Sequence, residues 1–349
     1  MKRRAGRFLT AVLCCVLALP LAGAVERPLE VPAAAQQMPQ VLVSGQPFGL
    51  KLFTDGVVVV GTAQVTTQAG LEDPAGEAGI QVGDVIEAVD GTKVSSNSEI
   101  AACIEHSGGA ALSLSVRRGE QALSLSLTPV ASGGVWRAGL WVRDSAAGVG
   151  TLTFYDPQTG GFAGLGHGVT DPDTGALVPL GEGDIVPVTV HGFQKGVSGT
   201  PGELHGYFSS DTPLGDLLAN TAQGVYGTAA APLSGTQMEV CPAADVHTGP
   251  VQILCTLEGS EPAFYDARID LVDLYSAESR NLVLRITDEK LLKEAGGILQ
   301  GMSGSPIVQD GRLVGAVTHV FVSDPKRGYG ILAAYMVKNE MALTHPAAA

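Results

Sequence analysis

Apolar and polar residues alternate in short runs along most of this chain. Ala111–Arg117 reads Ala-Leu-Ser-Leu-Ser-Val-Arg, and Ala122–Pro129 repeats the alternation after Arg118-Gly119-Glu120. A period of two, broken by a turn, predicts a β-hairpin. Upstream, Val57–Gly61 predicts a short strand, and Val82–Gly91 predicts a strand closing on a tight Asp90-Gly91 turn. Asn97–His106 reads as a helix with Ser98 near its start. Beyond Ser132 the runs become more numerous. Strands are expected at Gly148–Tyr155, Gly161–Val169, Ile185–His191, Gln252–Leu257, Ala267–Leu274, Leu282–Thr287, Ser305–Gln309, Arg312–Phe321 and Tyr329–Ala333. Helices are expected only at Leu214–Thr221 and Asp288–Glu294. Short strands cut by Gly and Asp turns predict a pair of all-β barrels or a sandwich, behind a smaller α/β unit.

The N-terminus departs from this pattern. Lys2, Arg3, Arg4 and Arg7 precede an apolar run from Phe8 to Ala24 that ends in Ala22-Gly23-Ala24. That is the layout of a secretory signal peptide over residues 1–24, or of a membrane anchor where the segment stays uncleaved. Residues 25–46 are rich in Ala, Pro and Gln and read as a stalk. The smaller unit then occupies 47–130 and the larger one 131–349. The formal charge is −14, and about −18 once the four positive leader residues are set aside. Such a surface repels phosphate backbones and excludes nucleic acid as a partner. Cys103, Cys241 and Cys255 lie outside the leader and are too few for a disulfide scaffold, although Cys241 and Cys255 could pair. No C-x-x-C or H-E-x-x-H occurs, so neither a metal nor a cofactor is expected.

The run AGIQVGDVIEAVDGTKVSSNSEI, residues 78–100, resembles the core of a PDZ domain. That family holds a peptide carboxylate on the backbone N–H groups of a Φ-Gly-Φ loop and pairs the peptide with a strand edge. Phe48-Gly49-Leu50 resembles this loop. The resemblance implies peptide binding, with a segment of this same chain among the possible ligands.

Gly301-Met302-Ser303-Gly304-Ser305-Pro306, followed by an apolar strand and an Asp310-Gly311 turn, carries the strongest chemical signal. It resembles the nucleophile segment of chymotrypsin-like proteases, with Ser305 where that family has Gly. A nucleophilic serine must project from a tight turn with little bulk around it, which Gly301 and Gly304 permit. The N–H groups of Gly301 and Ser303 would face a developing oxyanion. Ser305 is a rival hydroxyl in the same loop. His167, inside Gly164-Leu165-Gly166-His167-Gly168, precedes the serine as chymotrypsin-like order requires and is the candidate base. His319 falls on the following strand and reads first as a substrate-facing or core residue. His191 and His205 flank a Gly-rich loop. The orienting acid stays open among Asp184, Asp211, Asp216, Asp245, Asp266, Asp270, Asp273 and Asp288; an N-cap role explains Asp288 equally well.

Leader, PDZ core, Gly-His-Gly and GGILQGMSGSPIVQDGRLVGAVTHVFVSDPKRGYGI together resemble the stage IV sporulation protein B family of S55-type serine peptidases. The resemblance spans nearly all of the chain after the leader. It implies a PDZ domain followed by a chymotrypsin-like double-barrel peptidase, with catalytic His167 and Ser303, and raises Asp288 above the other aspartates. It also implies export across the forespore membrane to the intermembrane space, self-cleavage in the stalk, and cleavage of a membrane-bound regulator. That cleavage would activate a late mother-cell sigma factor. The competing expectation is a PDZ peptide-binding scaffold whose second domain is inert or regulatory.

Overall fold

The computed structural model describes residues 38–276 and 279–345. Among these residues no helix is long and apolar enough to cross a membrane. The leader and residues 25–37 lie outside the described residues.

Strand β1 (Gln40–Val43) buries Val41 and Val43. Strand β2 (Pro47–Thr62) follows and changes role part way along. The change occurs at Gly56, whose φ of +92° suits glycine and where a Cβ would meet the Ile86 carbonyl at 2.8 Å. After this kink the chain enters an inserted module of β3 (Val85–Val89), α1 (Asn97–His106), β4 (Leu112–Arg118) and β5 (Gln121–Leu127). In β4 the apolar Leu112, Leu114 and Val116 point inward and the serines outward, as a half-buried strand requires. A reciprocal capping box opens α1: Ser96 accepts from the Glu99 amide and Glu99 accepts from the Ser96 amide. The chain leaves the module on β6 (Leu140–Tyr155), which runs antiparallel to β2 from Leu140 opposite Thr62 to Thr151 opposite Pro47.

The outer parts of β2 and β6 are staves of a barrel. Strands β7 (Gly161–Gly164), β8 (Leu180–Gln194), β10 (Gly215–Thr221) and β11 (Gly224–Ala229) complete it. The pairing circuit is β2–β6–β7–β11–β10–β8 and back to β2. Phe48, Leu50, Leu52, Phe162 and Ile185 fill it, each contributing about 1.5–3 kcal/mol by burial. Strand β9 (Gly202–Phe208) extends β8 as a ribbon, and β12 (Thr236–Glu239) pairs with β1. A second closed barrel follows. It is built from β13 (Gly249–Cys255), β14 (Ala263–Val272), β15 (Leu282–Ile286), β16 (Pro306–Gln309), β17 (Arg312–Phe321) and β18 (Asp324–Leu332). Helix α2 (Glu289–Glu294) follows β15. Helix α3 (Ala333–Thr344) follows β18 and buries Met336 and Val337 in a cluster with Phe154, Ala163 and Tyr226 of the first barrel.

The expected mainly-β class, small α/β module and double barrel are all present. Several expectations change. Leu214–Thr221 is a strand, not a helix: along Gly215-Asp216-Leu217-Leu218 burial alternates with exposure, which is period two. Phe48-Gly49-Leu50 is not a carboxylate-binding loop. Phe48 is 1% exposed, and the segment is paired with β6 on one side and β8 on the other, leaving no backbone edge for a peptide. A module beginning at Pro47 therefore takes in a barrel stave, and Gln40–Val43 of the expected stalk is a paired strand. Finally, Cys241 and Cys255 are separate free thiols, both buried, with burial pushing the Cys255 thiol up to about 12.

Candidate active site

The Ser303 loop is held from below. Met302 is fully buried in the second barrel core, its amide donates to Leu299 O (3.1 Å), and the Ser305 amide donates to Met302 O (2.9 Å). These short-range bonds fold the segment into consecutive tight turns, with Gly301 at φ +95° and Gly304 at φ +94°. A Cβ on Gly304 would run into the Thr151 carbonyl. The Ser303 hydroxyl donates to Thr318 O at 2.7 Å. Among the described residues the Ser303 amide has no acceptor, so it stays available to an oxyanion. Ser305 is completely buried, which removes it as a rival nucleophile.

His167 stands just beyond β7. Leu165 before it takes φ +63°, an uncommon conformation for a non-glycine residue, and anchors its side chain in the first barrel core. His167 Nδ1 lies 2.9 Å from Gly168 O. A carbonyl can only accept, so Nδ1 carries the proton and Nε2 keeps its lone pair, the tautomer a general base needs. Burial lowers the His167 pKa below 6.5, opposed by the bond to Gly168. The loop is clamped by Asn220 at the end of β10. Its side-chain oxygen accepts from Val169 N (2.8 Å), and its NH2 donates to Val169 O and Val178 O (2.9 Å each). Sequence reading missed Asn220, since nothing local ties it to a residue some fifty positions upstream.

His319 stacks on His167 with ring centroids 4.6 Å apart and planes tilted by 33°. Its pKa falls to about 4, through burial first, then the neighbouring His167 and Arg280. His167, Ser303 and His319 line one cavity of about 560 Å³ with apolar walls that include Val149, Ile298 and Val320. His191 and His205, with rings 6.2 Å apart, line a second cavity that shares Gln300 and Gly301 with the first.

The structure brings His167 and Ser303 together but not Asp288. Asp288 caps α2: Oδ1 accepts from Leu291 N (2.8 Å) and Oδ2 from Asp266 N (3.4 Å). A helix start needs an acceptor for its unpaired amides, and this demand fixes the carboxylate away from the cavity. Among the described residues no carboxylate bonds His167, and the Gly168 carbonyl occupies the orienting position. No cluster suited to a metal ion occurs among the described residues.

The inserted module has its own groove. A cavity of about 600 Å³ lies between α1, through Ala101 and Ile104, and the segment Trp136–Trp141. Leu140–Arg143 pairs with β2 on one side, while no strand among the described residues pairs with its other edge. Ala138-Gly139-Leu140 at its start is a Φ-Gly-Φ element, with Gly139 at φ +69° and its carbonyl accepting from Ala63 N. This element lies beyond the expected end of the module, so Phe48-Gly49-Leu50 drew the assignment instead.

A family model described as SpoIVB peptidase S55 matches residues 134–337, more than half of the chain, and a PDZ domain model matches residues 66–118. The putative zinc metalloprotease LL2128 of Lactococcus lactis subsp. lactis (strain IL1403) is 35% identical over 112 residues, 32% of this chain and 25% of that protein. The chain thus spans about a quarter of that relative's length. The active form of the Rv3671c protease from M. tuberculosis is 16% identical at TM-score 0.35, covering 57% of this chain and 75% of that one. The HtrA-type protease AlgW with a decapeptide is 10% identical at TM-score 0.33, covering 58% and 54%. The PDZ domain of the SdrC-like protein Lmo2051 from Listeria monocytogenes is 22% identical at TM-score 0.21, covering 25% and 87%. Scores this low lend no weight to the fold, which rests on the strand pairing above.

Proposed function

Since the chain belongs to the SpoIVB peptidase S55 family and is a serine endopeptidase acting on proteins or peptides, we propose that Ser303 is its nucleophile and His167 its base. The observation that carries this reading is their meeting in one cavity, with the Ser303 amide unpaired. The hydroxyl leaves Thr318 O by rotation about χ1 and attacks the substrate carbonyl. It passes its proton to Nε2 of His167, while the amides of Ser303 and Gly301 receive the oxyanion. The imidazolium then protonates the leaving amine. Water repeats the sequence on the acyl-enzyme. The Gly168 carbonyl fixes the tautomer throughout.

The cleavage serves signalling in sporulation. The peptidase, exported to the space between the forespore membranes, cuts its own N-terminal segment and then a membrane-associated regulator, leading to activation of a late mother-cell sigma factor. Because Gln40–Val43 is paired with β12 along its whole length and with β6 at Leu42 and Val43, the self-cleaved bond lies on the N-terminal side of Gln40. The Ala138-Gly139-Leu140 groove takes the peptide in this scheme, its open edge adding a strand. Purified protein starting at Val25, as wild type and as Ser303→Ala, followed by intact mass over time, tests the reading. Shortening before Gln40 in wild type alone supports it. Shortening of both proteins alike refutes Ser303 as nucleophile. A peptide-binding scaffold would leave both whole even when the regulator is supplied.

A further inference from the structure

Strand β6 passes directly beneath the Ser303 loop, and one of its residues touches that loop twice. The Thr151 amide donates to Ser303 O at 2.9 Å, and its hydroxyl donates to Gly301 O, also at 2.9 Å. Its carbonyl accepts from Leu165 N at 3.3 Å, two residues before His167. The residue is 2% exposed, so none of these groups can exchange its partner for bulk water.

We infer that Thr151 is a positioning residue for the peptidase reaction, setting the oxyanion site through its hydroxyl; the inference rests on the Ser303–His167 reading. The Ser303 amide belongs to the Met302–Ser303 peptide. The carbonyls on either side of that peptide, Gly301 O and Ser303 O, are both held by Thr151. Gly301 sits at φ +95°, where a glycine-flanked peptide rotates at little steric cost. A flip of the Gly301–Met302 peptide would turn its carbonyl toward the space an oxyanion must occupy. The hydroxyl opposes that flip because the carbonyl would lose a buried donor. Any residue at 151 supplies the amide contact to Ser303 O, but only a hydroxyl side chain supplies the contact to Gly301 O. A β-branched one holds its rotamer on the strand as well.

Thr153 provides the comparison. It is fully buried on the same strand and donates to Gly304 O at 2.8 Å, a carbonyl past the nucleophile that does not flank the Met302–Ser303 peptide as Gly301 O does. Loss of either hydroxyl removes one buried side chain–carbonyl bond, so a purely structural role predicts the same result at both positions.

The test compares Thr151→Val, Thr151→Ser and Thr153→Val on a peptide substrate, together with the rate at which a fluorophosphonate phosphonylates Ser303, its fluoride leaving as the Ser303 oxygen bonds phosphorus. Thr151→Val is expected to lose about 10- to 100-fold in kcat, less than the roughly 10²- to 10³-fold cost of removing an oxyanion donor outright because the Ser303 amide itself remains, with KM within about twofold and a parallel loss in fluorophosphonate labelling. Thr151→Ser should stay within about threefold of wild type, and Thr153→Val should retain kcat even where its Tm falls as far. Thr151→Val with wild-type kcat, or a loss confined to KM, or equal kcat losses at 151 and 153, would overturn the inference. If Thr151→Val does not fold, Thr151→Cys, of similar volume and a weak donor, should show an intermediate loss, and full kcat there overturns it equally. Activity or labelling retained in Ser303→Ala refutes the underlying dyad instead, whatever happens at 151.

Discussion

Acid should destabilise this protein through His319 before most carboxylates are protonated. In the unfolded chain a histidine takes up its proton near 6.5, whereas in the folded protein His319 resists until about 4. Between those values the unfolded state binds more protons, so folding stability is complete above 6.5 and drains away as the pH falls toward 4. At about 1.4 kcal/mol per pH unit traversed, the ceiling is about 3 kcal/mol. His319 is only partly buried and lines the cavity, so screening reduces this to about 1–2 kcal/mol. The assay is urea unfolding followed by far-UV circular dichroism at pH 7.5 and 4.5, for wild type and His319→Gln. Circular dichroism is preferable to tryptophan emission because Trp136 and Trp141 both lie at the inserted module and would report its unfolding rather than the barrels'. The substitution shifts stability by a constant at both pH values; the informative quantity is the difference in slope. Wild type should lose about 1–2 kcal/mol more than the variant. Equal losses, or a larger loss in the variant, would refute the claim that His319 is held neutral by its surroundings.

Three further outcomes follow from the same geometry. The acid limb of kcat/KM should have its midpoint below pH 6.5 and be flat above it, since burial lowers the His167 pKa; a midpoint above 6.5 in a pH–rate profile would mean that a carboxylate reaches the ring. Asp288→Ala should cost about 1 kcal/mol through loss of the helix cap, while Asp288→Asn keeps both the cap and kcat; a kcat drop on the order of 10⁴ for the Asn variant would place this carboxylate at His167 in the working enzyme. Gly304→Ala should cost about 3 kcal/mol or more in thermal unfolding, because it combines φ +94° with a Cβ driven into the Thr151 carbonyl, and a Tm within a few degrees of wild type would contradict the packing around that loop.

Legibility in the sequence followed the range of the interaction. The glycines around His167 and Ser303 were readable because tight turns are set by neighbouring residues, and Leu112–Arg118 was readable because its period of two is local. The Leu214–Thr221 segment misled for the same reason: Leu214, Leu217 and Leu218 stand three and four apart, as on a helix, and only pairing with β8 and β11 decides otherwise. Phe48-Gly49-Leu50 and Ala138-Gly139-Leu140 share one local pattern. What separates them is which edge is already paired, a fact fixed by strands up to about 140 residues away. Asp288 shows the limit most sharply. An aspartate before a short helix serves as a cap or as a catalytic acid with the same neighbours, and the three-dimensional position of its two acceptors chooses the cap.

The way the module hangs from β2 and β6 also bears on how the chain folds. Pro47 and Thr151 are neighbours across the first barrel, yet the whole module lies between them in sequence. An unfolded loop of that length is costly to close, and the cost falls once the module has folded and drawn its own ends together through the Thr62–Leu140 contact. The order of events is therefore biased: module first, barrel second. During synthesis this makes the module a checkpoint. A chain damaged there closes the barrel that carries His167 less readily.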